Sequence, residues 1–239
     1  MDLADACSDR KAKAVCGKFF YKNKLEGIYK KITNLCFFLF HFIVCQKQIR
    51  WENRLRFDNG SVCKISVDGT DFKIRTPKPF WKGWFSFKFK KAGLRYEVAL
   101  AIQSGEIVWA NGPFPAGRFP DITIFRLGLK RKLLDAGERT EADDGYRGEA
   151  LCVDLPKEGC FVGGQLQQLL KQRVRSRHET VNARFKNFGC LEQRFRHKLN
   201  RHKICFDAIL VITQLALTKG EEPLFEVRNY RTETLADLV

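Results

Sequence analysis

The residue pattern between positions 62 and 110 constrains the fold more than any other feature of this chain. From position 62 apolar side chains alternate with polar ones, as a strand with one buried face requires: Cys63, Ile65 and Val67. Asp68 is expected to end this strand on its polar face, before a turn at Gly69. Further strands are predicted at residues 84–89, 95–102 and 106–110. The pattern indicates an antiparallel meander that begins a mixed sheet.

Helical periodicity replaces this alternation after residue 120. Asp121 is predicted to cap a helix that ends at Gly137, and a short strand then leads to Asp143. The last two helices are predicted at residues 163–188 and 202–218, the second of them apolar nearly all round and therefore buried. This order of elements predicts an α/β chain that resembles an RNase H-like fold, a mixed sheet flanked by helices.

A change of composition near residue 50 predicts the domain boundary. Residues 1–50 are lysine-rich and then dense in phenylalanine, which favours a helical leader of uncertain role, whereas residues 51–239 form the main domain. The apolar run at residues 35–45 is shorter than the roughly 20 residues that a membrane helix needs, so no membrane partner is expected. Nine cysteines without a C-x-x-C pair or a signal peptide indicate reduced, intracellular thiols.

The charge of the chain favours a polyanionic partner such as nucleic acid over an acidic small molecule. Lysine and arginine number 43 against 27 acids, a formal net charge of +16. Much of this excess lies in residues 171–203, a block that would attract phosphate. The same block is also consistent with an ordinary solvated helix face, and charge alone does not choose between these interpretations.

Three acidic residues stand in settings suited to metal-dependent phosphodiester chemistry: Asp68 at a strand, Asp143 before a Gly turn, and Glu179 on a helix. Such chemistry needs carboxylates from separate elements around two divalent ions, and their hard oxygens suit Mg²⁺ or Mn²⁺. Arg175 and Lys186 share a helical stripe with Glu179, which would place cations beside that carboxylate. A surface turn at Asp143 and a simple ion-pair ladder at Glu179 are the alternatives.

At these residues the sequence resembles the PIF/Harbinger-type transposases and the bacterial insertion-sequence transposases related to them. Residues 66–70 (SVDGT) resemble the strand of the first acid, and residues 142–146 (ADDGY) resemble the segment of the second. The spacing R-x3-E-x6-K from Arg175 to Lys186 is similar to the family signature around the third. The family's tyrosine three residues before that arginine is Gln172 here, and Asp121 in the preceding loop matches an auxiliary or capping acid.

The resemblance implies a DDE endonuclease that cleaves DNA with two Mg²⁺ or Mn²⁺ ions and that catalyses strand transfer. Asp68, Asp143 and Glu179 would be its catalytic and metal-binding residues. The residues that would contact DNA are Arg175, Arg184, Lys186 and Arg196. The resemblance further implies a homo-oligomer when active, a separate DNA-binding partner protein, and the nucleus as location in a eukaryote. The alternative is an inactive, domesticated protein that binds DNA or a partner through the same basic face.

Two further patterns leave alternatives open. Cys190, His197 and His202 could contribute to a zinc site, although their spacing fits no strong zinc pattern, and the two histidines are more typical of a helix surface or of phosphate contacts. Aromatic residues alternate with lysines at residues 81–90, which is typical both of strand packing and of a surface that stacks nucleic-acid bases.

Overall fold

A sheet of six strands forms the centre of the part of the chain that the computed structural model describes, residues 49–155 and 165–218, with only the backbone of residues 165–168. The predicted leader lies almost wholly outside these residues. The strands are β1 (Cys63–Lys73), β2 (Phe85–Ser86), β3 (Lys91–Ala101), β4 (Ile107–Pro115), β5 (Arg139–Glu141) and β6 (Val153–Asp154).

The sheet is mixed, as predicted. Strands β1, β3 and β4 form an antiparallel meander, and the short β2 extends one end of β3. On the other side of β1, strand β5 pairs with it in parallel, and β6 pairs in parallel with β5. This α/β arrangement is compatible with the predicted RNase H-like fold.

Helices cover both faces of the sheet. They are α1 (Asp121–Leu127), α2 (Leu129–Ala136), α3 (Gln165–Lys186), α4 (Gly189–Glu192) and α5 (Leu199–Thr218). Even-numbered residues of β1 and β3, such as Phe72 and Tyr96, pack against α3 and α5 together with Phe185 and Phe206. Odd-numbered residues such as Val67 and Ala99 belong to a second cluster on the α1 and α2 side.

Strand β1 corrects one prediction. Asp68 does not end the strand, and residues 69 and 70 do not form a turn, because β1 continues to Lys73 with unbroken pairing to β3. Gly69 was expected to break the strand, as glycine often does. Here it lies directly opposite Glu97 of β3, and the space above its Cα is filled by the carboxylate of Asp121. The glycine therefore makes room for a neighbour inside a continuous strand.

The single helix predicted from Asp121 to Gly137 is two helices. The helix is interrupted at Gly128, where the backbone lies close to strand β4. A Cβ at Gly128 would lie 3.0 Å from the indole of Trp109. The second helix ends at Gly137, as predicted, in the left-handed conformation that glycine favours. Asp121 is the first residue of α1, and its side chain makes no capping hydrogen bond, so that part of the prediction is wrong.

The predicted strand at residues 84–89 is also wrong in most of its length. Only Phe85 and Ser86 pair with β3, and residues 87–90 form the turn between β2 and β3. The two other predicted strands are confirmed as β3 and β4, the latter continuing to Pro115. Helix α3 is continuous through its arginines. Helix α5 is buried along one face only, with seven of its twenty residues buried and Ile212 39% exposed, so the prediction of a buried helix holds in part.

Candidate active site

The parallel pairing of β1 with β5 brings the first two acids to the same level. Ile65 pairs with Thr140 and Ser66 pairs with Glu141. Asp68 lies two residues after Ser66, and Asp143 lies two residues after Glu141, just beyond the end of β5. The side chain of Asp143 accepts a hydrogen bond of 2.9 Å from the backbone N–H of Gly145, which holds it at the start of a single helical turn. Asp68 thus lies within β1, and Asp143 lies two residues beyond the end of the neighbouring strand β5.

Helix α3 supplies the third acid, and buried polar contacts attach this helix to the sheet. His178 Nε2 lies 2.9 Å from the hydroxyl of Ser66 on β1. The buried guanidinium of Arg177 donates to the carbonyl oxygen of Ile102, just beyond the end of β3, at 2.5 Å. Asn182 donates to Asp68 Oδ2 in a long hydrogen bond of 3.5 Å. Glu179 lies between these contacts, on the part of α3 that passes over Asp68.

The three predicted acids line one cavity of about 280 Å³. Its other lining residues are Val67, Gln172, Arg175, Ser176 and His178. Asp68 is half-buried at the inner side of this cavity, whereas Asp143 and Glu179 are exposed. The three carboxylates that the sequence singled out thus line the same cavity, although their oxygen atoms do not all lie within 4.8 Å of one another. The structure also places Arg175 and Gln172, the position where the family has tyrosine, at their side.

The electrostatics of the cavity favour a bound cation. Burial raises the pKa of Asp68, and the nearby negative charges of Asp143 and Glu179 raise it further, while Lys88 opposes them. A divalent cation between the carboxylates would relieve this repulsion and favour the ionised form of Asp68. Because the donors are carboxylate oxygens from three separate elements, the set fits Mg²⁺ or Mn²⁺.

Asp121 is a fourth acid close to this site, on the opposite face of β1. A Cβ on Gly69 would lie 1.8 Å from Asp121 Oδ1, an atom without a hydrogen-bond partner among the described residues. Its other oxygen lies 3.4 Å from the guanidinium of Arg95. Burial raises the pKa of Asp121 to about 6, against the opposing charge of Arg95. The sequence predicted only a helix cap at Asp121. It gave no sign that this side chain lies against Gly69, because that contact forms only when the sheet folds.

Neither buried histidine is suited to acid–base work at the cavity. Burial lowers the pKa of His178 and of His202 to about 4, so both are neutral near pH 7. His202 lies in the core, 2.8 Å from the hydroxyl of Tyr96 and against Phe195, so its prediction as a surface or phosphate-contacting residue is wrong. Cys190, His197 and His202 do not come together as metal ligands among the residues described.

A second group of possible metal ligands is already neutralised by cations. The atoms of Cys63, Glu141 and Asp154 lie within 4.8 Å of one another and are buried. Arg139 lies 2.9 Å from Asp154, and Lys171 lies 3.9 Å from Glu141. Two carboxylates facing two fixed cations form a buried ion-pair network. The charges of Arg139 and Lys171 therefore already balance those of the two carboxylates in this group.

The basic block at residues 171–203 does not form a single phosphate-binding face. Lys171 and Arg177 are buried and bind carboxylate or carbonyl oxygens of the domain. Of the residues predicted to contact DNA, Arg175 lines the cavity, Arg184 is half-buried, and Lys186 and Arg196 are exposed. Part of the charge excess thus stabilises the fold, and part remains at the surface.

No helix within the described ranges is long and apolar enough to cross a membrane.

Comparison with known proteins gives one match. The model of a family described as DDE superfamily endonuclease matches residues 67–215, more than half of the chain. The matched region begins one residue before Asp68 and includes both Asp143 and Glu179. No curated protein and no solved structure matches the chain.

Proposed function

Because the chain belongs to the DDE superfamily endonucleases, we propose that Asp68, Asp143 and Glu179 bind two divalent cations and that the domain cleaves DNA phosphodiester bonds there. The observation that carries this proposal is that the three carboxylates line one cavity: Asp68 lies on β1, Asp143 follows the paired strand β5, and Glu179 lies on α3. The negative charges of Asp143 and Glu179 disfavour ionisation of the half-buried Asp68, and a cation bound among the three acids would relieve this repulsion.

Each residue of the cavity has a definable task in this proposal. Two bound Mg²⁺ or Mn²⁺ ions would supply an activated water and would stabilise charge on the attacking and leaving oxygens. Asp68 is held on a central strand and is oriented by the amide of Asn182. Arg175 lies beside Glu179 and offers a positive charge to the phosphate, as Lys186 does further along the helix surface.

The PIF/Harbinger subtype and strand transfer extend this proposal. The signature spacing from Arg175 through Glu179 to Lys186 supports the subtype. In strand transfer the 3′-hydroxyl freed by cleavage would attack a phosphodiester of a second DNA in the same cavity, forming a new phosphodiester bond while the P–O3′ bond of the target strand breaks and its 3′-hydroxyl is released. We also propose that a homo-oligomer is the active form, that a separate DNA-binding protein supplies site recognition, and that the nucleus is the location in a eukaryotic source.

A nicking assay on supercoiled plasmid tests the proposed cleavage. The wild-type protein should nick DNA with Mg²⁺ or Mn²⁺ and should lose this activity in EDTA. Asp68→Asn, Asp143→Asn and Glu179→Gln should each lower the rate by at least about a hundredfold, because each removes a charged ligand while keeping the side-chain shape.

Asp144→Asn is the matched control for this assay. Asp144 is the exposed neighbour of Asp143, and it faces Arg147 at 3.3 Å instead of lining the cavity. Its replacement should leave the nicking rate within about twofold of the wild type. Full activity of a correctly folded Asp68→Asn protein, or equal losses in the Asp144→Asn protein, would refute the assignment of the three acids.

A further inference from the structure

The turn between β2 and β3 exposes aromatic side chains that ordinary strand packing would bury. Phe87 is 70% exposed and Trp81, just before this hairpin, is 46% exposed. Sheet packing was the alternative explanation for the aromatic residues of this segment, and it accounts for the half-buried Trp84, Phe85 and Phe89. It does not account for Trp81 and Phe87, whose exposed rings are accessible to a partner.

Contacts join these aromatic residues to cations in one surface. We call the set Trp81, Phe85, Phe87, Lys90 and Arg118 the aromatic-basic surface. The Arg118 guanidinium lies 5.6 Å from the ring centre of Trp81, and Lys90 Nζ lies 5.8 Å from that of Phe87. The rings of Phe85 and Phe87 meet edge to face, with their centres 5.3 Å apart.

Backbone contacts link the two halves of this surface. The N–H groups of Gly117 and Arg118 donate to the carbonyl oxygen of Gly83 at 2.9 and 3.0 Å. A Cβ on Gly117 would lie 2.6 Å from the carbonyl oxygen of Phe85. The loop that carries Arg118 is therefore packed against the segment between Trp81 and Phe85, and the exposed rings are held by a defined structure.

The hairpin also reaches the proposed active site. Lys88, the residue after Phe87, donates to the carbonyl oxygen of Gly69 at 3.1 Å. Its charge lowers the pKa of Asp68 against the effect of burial. The turn that carries Phe87 therefore lies within one lysine side chain of the residue next to the first acid.

We propose that the aromatic-basic surface stacks unpaired bases of the DNA strand whose backbone lies at Asp68. The identity of the polymer rests on the proposed function. Aromatic faces bind bases by stacking, and neighbouring lysine and arginine side chains bind the phosphates between them. A paired duplex covers the faces of its bases, so this surface suits a frayed or single-stranded segment next to the cleaved bond. The two cations of the surface, Lys90 and Arg118, are exposed, so its charge is complementary to that of a DNA strand.

Fluorescence anisotropy with a labelled single-stranded oligonucleotide tests this inference. Binding is measured in EDTA, so that cleavage plays no part, for the wild type and for a double variant, Trp81→Ala with Phe87→Ala. A second oligonucleotide of equal length carries abasic sites throughout and keeps every phosphate. Phe57→Ala is the matched control, because Phe57 is 75% exposed and lies outside the aromatic-basic surface.

The double variant should bind the normal strand at least about fivefold more weakly than the wild type, the lower end of what one stacked base contributes. The same variant should bind the abasic strand as well as the wild type does, and Phe57→Ala should change neither affinity. Unchanged affinity for the normal strand, or equal weakening for both strands, would overturn the inference. A change of self-association in sedimentation, without a change in DNA affinity, would assign the surface to a second copy instead.

Phe87→Ala alone keeps the test decisive if the double variant does not fold, since a side chain that is 70% exposed contributes little to the core. It should still weaken binding to the normal strand and spare the abasic strand. These affinities are measured without metal and are therefore independent of the nicking result. If the acid variants lose nicking but the aromatic variants bind the normal strand like the wild type, the proposed active site stands and only the proposed base stacking is refuted.

Discussion

At the scale of single residues, consecutive positions of β1 serve opposite faces of the sheet. Asp68 faces the cavity under α3, whereas Gly69 faces Asp121 at the start of α1. The three acids of the cavity could be predicted because each carries a local motif. The position of Asp121 could not, since the only sequence signal, a glycine after Asp68, equally suits a turn.

Gly69→Ala tests this packing. The new methyl group would overlap Asp121 Oδ1, so Asp121 or the strand must move. The free energy of unfolding should fall by about 1–3 kcal/mol, the usual cost of overpacking, and the nicking rate should fall with it because Asp68 is the adjacent residue. Urea denaturation measures the first effect and the plasmid assay the second.

Gly189→Ala is the control, because its nearest neighbour would be 4.0 Å away and no atom must move. Its stability should stay within about 0.5 kcal/mol of the wild type. If Gly69→Ala loses as much stability in an Asp121→Ala background as it does alone, the overlap with Asp121 is not the cause.

Glu97 makes stability depend on pH. Burial raises its pKa to about 8, while its carboxylate accepts a hydrogen bond of 3.0 Å from the indole of Trp109. The carboxyl group of Glu97 thus binds its proton more tightly in the folded protein than in the unfolded chain. The resulting stability is complete below the ordinary pKa of 4.5 and is lost as the pH rises through about 8.

Glu97→Gln should remove this dependence while keeping an oxygen for Trp109. Between about pH 5 and pH 8 the wild type should lose up to a few kcal/mol relative to the variant, since a tenfold change in proton affinity corresponds to about 1.4 kcal/mol. Denaturation of both proteins across this range gives the difference. Parallel curves would show that Glu97 is ionised in the folded protein.

At the scale of elements, the position of α3 decides whether Glu179 reaches the aspartates. The sequence predicted the helix and its acid from periodicity and spacing. It did not predict that Arg177 and His178, inside the basic block, would be buried as attachments to β1 and the end of β3. The same limit applies to the predicted strand at residues 84–89. Alternation of aromatic residues and lysines alone could not distinguish a full-length strand from the two-residue strand and exposed turn that the structure has.

Arg177→Met tests the attachment of α3. The loss leaves the carbonyl oxygen of Ile102 without its charged donor, which should lower the free energy of unfolding by about 2–3 kcal/mol. Nicking should also slow, because Glu179 is two residues away. Arg173→Met on the same helix is the matched control, since Arg173 is exposed and should change stability by less than about 0.5 kcal/mol. Equal stability of the two variants would contradict this role of Arg177.

At the scale of the whole molecule, a mixed sheet with helices on both faces places the three acids in one cavity near the meeting point of β1, β5 and α3. The cation Arg175 lines the same cavity, and other cations such as Lys186 and Arg196 are exposed elsewhere in a chain of net charge +16. The order of elements predicted the α/β class. It said less about the leader at residues 1–50, because lysine-rich and phenylalanine-dense segments carry no turn signals that would divide them into elements.

Metal binding at the three acids is tested by soaking crystals of the wild-type protein in Mn²⁺ and recording anomalous diffraction. Anomalous peaks coordinated by Asp68, Asp143 and Glu179 are expected, and they should be lost or weakened in the Glu179→Gln protein. A peak at Cys63, Glu141 and Asp154 with none at the cavity, or no peak at either group, would contradict metal binding at the three acids.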